Sequence, residues 1–423
     1  MKSRILSLVC LALIAILVLS ACLSSSKNAD PSVLPVAAGE SIQDVINEAQ
    51  PGDVVLIEEG TYAGDIVVST DDITIRGTDR NNVVIDGKYE QDNGIVVSAN
   101  GVRVENLTVQ KFRTNGILIA GGYGDEEIAQ NSDTLIERYM VAYVNAMNNG
   151  LYGIYAFASV DGTIAETFTR ANADAGIYIG QCKPCRAQIF NNVAHNNGIG
   201  LQGANASEEL AIFNNNFSNN RTGIHMLSET KEKKAPQESV QIVGNRIDNN
   251  NEANAPTATP DLFGFGIVIA GGRTNIIERN RADGNVQSGI IITAQGEFLP
   301  SDNEVRGNAA KKNGVPFGFD IAYLIEGRPD VMSSGNCFED NMYSSSSVER
   351  IQEQLACSGA APGPFKSQPL RAYTIPDAPN YNAMDIQIQT RESKPGDIMV
   401  LPAKLKKVSF KDLSSLKVPN EKV

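Results

Sequence analysis

Two histidines and a short run of tyrosines are the residues of this chain best suited to moving protons. Tyr155, Tyr178 and His225 each hold the third place of a Gly-apolar-x-apolar quartet: Gly153-Ile154-Tyr155-Ala156, Gly176-Ile177-Tyr178-Ile179 and Gly223-Ile224-His225-Met226. In a strand the second and fourth places share one side and the third faces the other, so these phenols and this imidazole fall on one face. Gly198-Ile199-Gly200-Leu201 sets Gly200 in the same place between Tyr178 and His225, which predicts a notch roughly 10 Å long. A sugar ring could stack there on Tyr155, with Gly200 and Gln202 as further binding positions, and exchange protons with Tyr178 and His225. Abstraction of a uronate C5 proton also needs a cation at the carboxylate. Arg170 and Arg221, each shortly ahead of a strand, are the candidates, and Asp174 could orient either or bind a cation.

The same outward row runs on through Leu118, Val268, Ile291 and Asp320, mostly apolar, so an insertion or the C-terminal tail is expected to cover part of it. Packing alone is then the competing account of the tyrosines. No two acids take the spacing that inverting hydrolysis needs, which favours a lyase or epimerase over a hydrolase. Asp71-Asp72 and Gly124-Asp125-Glu126-Glu127 could take Ca2+, yet read more simply as solvated loop charge; no other cofactor and no metal site is expected. Cys182-Lys183-Pro184-Cys185 reads as a structural disulfide, with a redox couple or half a metal site as the alternatives.

A repeat must position these groups. The quartet recurs from Gly116-Ile117-Leu118-Ile119 to Gly266-Ile267-Val268-Ile269, Gly289-Ile290-Ile291-Ile292 and Gly318-Phe319-Asp320-Ile321, with a minimum step of about 22 residues. Pairs of Asn keep the same phase: 192/197, 215/220, 245/250, 280/285, 308/313 and 336/341, with Thr167/Asn172 as a degenerate copy. One coil of three short strands and three turns has this length, and stacked Asn can hydrogen-bond from coil to coil at the turns. The fold class is therefore all-β, a right-handed parallel β-helix of about 10 to 11 coils. Ser41 to Gln50 is expected to cap its open end as a helix, with Ile42, Val45, Ile46 and Ala49 on one face and Ser41-x-x-Asp44 as a capping box.

The chain has 423 residues and a formal net charge of −13, which excludes nucleic acid as a natural partner and weighs against polyanions. Met1-Lys2-Ser3-Arg4 followed by the apolar run Ile5 to Leu19 reads as a secretory signal, and Leu19-Ser20-Ala21-Cys22 resembles the bacterial lipobox in which Cys22 is lipidated. This gives a signal at 1–21, a tether at 22–37, the β-helix at 38–357 and a Gly/Pro/Ser-rich tail at 358–423 that lies along or trails from the solenoid. In an oxidising compartment, Cys182 with Cys185 and Cys337 with Cys357 is the most economical pairing. A monomer held to a membrane through Cys22 is expected.

Asn149-Gly150-Leu151-Tyr152-Gly153-Ile154-Tyr155 and Asp174-Ala175-Gly176-Ile177-Tyr178-Ile179-Gly180-Gln181-Cys182 resemble the parallel β-helix repeats of exported bacterial proteins in the pectate-lyase-like superfamily. The resemblance covers roughly residues 35 to 360. It implies the fold and transfers no catalytic residue. Uronate lyases, polysaccharide epimerases, hydrolases and periplasmic proteins of metal-enzyme maturation share that fold. Two expectations follow: a surface lipoprotein that binds or acts on extracellular polysaccharide, by uronate lyase or C5-epimerase chemistry if it is an enzyme; or a non-catalytic accessory lipoprotein that presents its solenoid to a protein partner.

Overall fold

The computed structural model describes residues 31–121, 135–325, 335–358, 365–377, 413 and 415–421. The signal, Cys22, the acidic loop 124–127 and most of the tail lie outside the described residues. The strands form a twelve-stranded sheet from Val33–Val36 to Cys337–Glu339, a ten-stranded sheet from Ile66–Val68 to Phe319–Leu324, and a seven-stranded sheet from Gly60–Tyr62 to Asn216–Phe217. Neighbouring strands in each are successive coils paired in parallel, so the chain is a parallel β-helix. The twelve-stranded sheet has one or two rungs more than the periodicity counted, because Val33–Val36 adds a rung ahead of the cap.

The interior is made of stacked aliphatic ladders such as Ile154, Ile177, Leu201, Ile224, Ile267, Ile290 and Ile321, each fully buried. Each such side chain contributes about 1.5–3 kcal/mol through removal from water. The N-terminal end is closed by helix α1 (Ile42–Glu48), whose cap Ser41 accepts the Asp44 N–H at 3.2 Å while Ile42, Ile46 and Ala49 are buried. The far end carries helix α2 (Ile351–Gln354) and the Cys337–Cys357 disulfide.

Amide ladders fix the register. In one, the Asn192 backbone N–H and Nδ2 both donate to Asn215 Oδ1 at 2.9 Å, and Nδ2 also donates to the Ile164 carbonyl. The pattern repeats through Asn215, Asn245, Asn280, Asn308 and Asn341. A second ladder runs Asn149, Asn172, Asn197, Asn220, Asn250, Asn285, Asn313. Asn336 and Asn341 do not continue the two rows together as their spacing suggested. Asn341 extends the first, whereas Asn336 ends a third ladder, Asn275, Asn303, Asn336.

Two further regularities explain the repeat's composition. The residue before each ladder Asn has positive φ: Asn191, Asn196, Asn214, Asn219 and Asn249 lie between 54° and 58°, and Gly244, Gly284 and Gly307 do the same elsewhere. Asn and Gly tolerate that conformation, hence the Asn-Asn doublets. The quartet glycine, in turn, lies against the ladder. A Cβ on Gly200 would stand 3.0 Å from Asn220 Nδ2 and 2.6 Å from the Gly223 carbonyl oxygen.

The ladders are directional, each rung donating to the next; the first ends on the Gln352 amide, whose Oε1 accepts from Asn341 N and Nδ2. The second ladder ends on Asp320, whose Oδ1 accepts from Asn313 N and Nδ2 while Oδ2 accepts from Ser344 N and Ser345 N. Asp320 is thus a ladder terminus and not, as its quartet suggested, an outward third-place residue. An Asn there would turn its NH2 group toward N–H donors. Asp320→Asn is expected to cost about 1–3 kcal/mol despite its identical shape, read as a lower denaturant midpoint. Gly200→Ala is expected to lower the midpoint as well, by about 1–3 kcal/mol of overpacking.

Candidate functional site

The ten-stranded sheet carries the predicted face, with one correction of register. Tyr155 pairs with Tyr178, Tyr178 with Gln202, and Gln202 with His225. Gly200 is not in this row: Leu201 pairs with Ile177, so Gly200 takes the ladder-facing place of Gly176, two residues earlier. The expected notch is therefore filled by the Gln202 side chain. The row continues through Val268, Ile291 and Ala322.

Nor is the face open. Tyr178, Gln202 and His225 are 4%, 9% and 7% exposed. Tyr178, Leu227, Val268 and Ile291 form an apolar cluster on the outside of the sheet, against which Tyr152, Tyr155, Leu262 of the insertion 251–264 and Leu370 of the tail pack. Tyr373 of the tail stacks on Phe263 with ring centroids 5.9 Å apart. The expectation that an insertion and the tail cover the apolar part of the row is what the structure shows.

The two arginines leave the site. Arg170 is on the seven-stranded sheet, paired with His195, around the corner from Tyr178. Arg221 is fully buried and bound by carbonyls: Nη1 donates to Ala253 O at 3.1 Å, Nη2 to Pro260 O at 3.5 Å and Pro376 O at 3.2 Å, and the guanidinium lies 4.8 Å from the Phe263 ring centre. It clamps the insertion and the tail together, and neither Arg is free to neutralise a uronate carboxylate here.

Tyr152 and Glu232 join the site unannounced by the repeat. Tyr152 stacks on Tyr155 with centroids 4.5 Å apart and planes 15° apart, and Tyr178 tilts against both at 5.1 and 4.6 Å. Burial raises the pKa of all three phenols, with further contributions from Asp174 and Glu232. Asp174 shares a hydrogen bond with Tyr152; burial pushes its carboxyl up to about 6, against the lowering effect of that phenol. Glu232 lies in the long connection between Leu227 and Val240, where its carboxylate accepts from Asn205 Nδ2 at 3.1 Å; burial and the Glu229 charge push it up to about 7. The signals were Tyr152 three places before Tyr155 and a lengthened coil after His225.

Asp174 Oδ1, Gln202 Oε1, Thr222 Oγ1 and His225 Nδ1 are buried with no hydrogen-bond partner. Asp174 immediately precedes the strand Ala175–Cys182 that carries Tyr178, and Gln202 and His225 are on the next two rungs. Such a group of unmet atoms on three successive coils marks a place where something else supplies partners.

The remaining candidates are structural. Cys182 and Cys185 are disulfide-bonded and fully buried, and the Ser207 N–H donates to Cys185 Sγ. Asp72 pairs with Arg138 at 2.6 Å, and Asp71 Oδ1 caps the Asn100 N–H.

Residues 198–350 match the family described as right handed beta helix region, and residues 52–260 match the periplasmic copper-binding protein (NosD) family. The fold is similar to the A-module of mannuronan C-5 epimerase AlgE6 from Azotobacter vinelandii, with a TM-score of 0.51 at 15% identity, over 75% of this chain and 91% of that one. The AlgE4 A-module of the same organism aligns with a TM-score of 0.47 at 16% identity, covering 71% and 89%, and pectate lyase Pel9A with 0.45 at 15%, covering 76% and 81%. No curated protein matches the sequence. The chain is a right-handed parallel β-helix protein.

A copper ion does not fit the donors in the matched region. Its two cysteines are bonded to each other, His195 and His225 are on different sheets, and Met226 is sealed in the interior. Among the described residues no three His, Cys, Asp or Glu side chains come together as a metal site.

Burial pushes His225 down from 6.5 to about 4. Between those values the folded state binds fewer protons than the unfolded chain, so the stability tied to neutral His225 is present above pH 6.5 and is lost as pH falls through about 4. In a His195→Gln variant, which leaves a single imidazole, NMR is expected to find it neutral at pH 6 with a midpoint near 4. The His225→Gln variant is expected to lose less stability than its parent between pH 6.5 and 4.

Proposed function

We propose that this protein is an exported lipoprotein, anchored through Cys22, whose ten-stranded sheet binds an extracellular polysaccharide at the Tyr152, Tyr155, Tyr178, Gln202 and His225 face. One observation carries the reading: four unmet polar atoms, of Asp174, Gln202, Thr222 and His225 on three successive coils, beside a stack of three tyrosines. A glycan is amphipathic in the matching way, with C–H faces that stack on phenol rings and hydroxyls that reach buried acceptors. The fold's likeness to the A-module of a mannuronan epimerase supports a glycan ligand by analogy. The basic start, apolar run and lipobox-like Leu19-Ser20-Ala21-Cys22, together with two disulfides, support export.

Binding is the function put forward rather than uronate elimination. That reaction requires a cation at the carboxylate, and Arg170 and Arg221 are engaged elsewhere. Entry requires the insertion and the tail to shift at the Phe263–Tyr373 stack.

The chain has no tryptophan, so its emission comes from its 12 tyrosines, and the part a Tyr155→Ala variant removes reports the site. A glycan panel is expected to contain a ligand that changes this emission. Tyr155→Ala should weaken that binding by about tenfold, as expected from the loss of an aromatic stacking surface, and Gln202→Ala by about fivefold. Phe168→Ala, on the seven-stranded sheet, should leave it unchanged. A panel with no ligand, or equal effects from Phe168→Ala, would refute the proposal.

A further inference from the structure

The chemistry of the unmet atoms says which glycan. Asp174 Oδ1 and Gln202 Oε1 accept and cannot donate, and Thr222 Oγ1 can do either. The neutral His225 ring brings one lone pair and one N–H. Asp174 is held by a phenol and Glu232 by an amide, and neither is met by a cation among the described residues. Arg221 is the cation nearest in sequence to this row; its Nη1 and Nη2 are held by carbonyls of the insertion and the tail, and only its Nε lacks a partner. The Lys183 ammonium is likewise taken, by Glu238. A uronate would bring more acceptors and more negative charge to a site that already has both, and the chain's net charge of −13 would add to the repulsion.

We propose that the site selects a glycan by its donors: an amino-sugar polymer in its ammonium form, with a neutral glucan second and polyuronates last. This rests on the reading of the face as a glycan site. An ammonium group donates three hydrogen bonds and carries the charge that Asp174 lacks a partner for, whereas neutral hydroxyls meet Gln202 and Thr222 equally well in any hexose polymer. Asp174 is therefore the specificity-determining residue, and Tyr152 positions it.

The test is calorimetric titration of the full-length chain at about 0.15 M salt, where long-range attraction is screened. The probes are glucosamine hexamer, cellohexaose and hexagalacturonate. The glucosamine hexamer is expected to bind at least tenfold more tightly than hexagalacturonate. Asp174→Asn should weaken the glucosamine hexamer far more than cellohexaose, so that the amino preference is lost. Glu232→Gln supplies a second charge deletion should the first variant melt early. Hexagalacturonate binding as tightly as the amino hexamer, or an amino preference that survives both substitutions, would overturn the inference and leave the glycan reading standing. Failure of all three hexamers to bind would overturn the inference and count against that reading as well.

Discussion

The structure depends on the one-way amide ladder. Each Asn donates two hydrogen bonds to the next coil and one to a carbonyl, and accepts two in return, so the buried amides of the ladder satisfy one another. This sets which residue of one coil stands over which residue of the next, and with it the composition of everything nearby. The left-handed residue before each Asn and the bare Gly against it follow from the same contact. So does the Asp320 terminus, a residue type that needs no acceptor beyond it.

The unmet atoms of Asp174, Gln202, Thr222 and His225 fall together on three successive coils, where the row changes from aliphatic to polar and back within a few rungs. The same stretch carries the tyrosine stack and two carboxyls shifted to about 6 and 7. Groups that titrate near neutrality occur where burial and charge are arranged for a ligand as well as where they are arranged for a reaction. Here the two cations considered for uronate chemistry are placed elsewhere, Arg221 as a clamp on the cover and Arg170 on the seven-stranded sheet. That division of labour favours recognition.

Much of this was legible in the chain. The Gly-Ile-x-Ile quartets and the Asn spacing carry the fold and the interior, because each is a local pattern repeated many times, while the cap at Ser41 and the disulfide pairs rest on short spacings of their own. The failures came where two local patterns competed. Gly198-Ile199 imitates the start of a quartet, yet the Asn220 ladder contact requires the glycine at 200, and that slip of two residues hid Gln202 behind a notch. Arg170 was drawn to Tyr178 by sequence distance, although a β-helix corner lies between them. Tyr152 and Glu232 belong to no repeat position, so only three-dimensional proximity shows them. The cover was expected from the apolar row, but its clamp through Arg221 joins residues too far apart in sequence for any spacing to reveal.

The central claim is that the unmet atoms on the ten-stranded sheet are a ligand site and the ladder amides are scaffold. Titration of an isotopically labelled chain with a bound glycan, followed by NMR, tests it directly. The account predicts shifts in the His225 imidazole and the Gln202 side-chain amide, with the ladder amides of Asn245 and Asn280 unmoved. Saturation with glycan that leaves His225 and Gln202 unchanged, or that moves the ladder amides first, would contradict it.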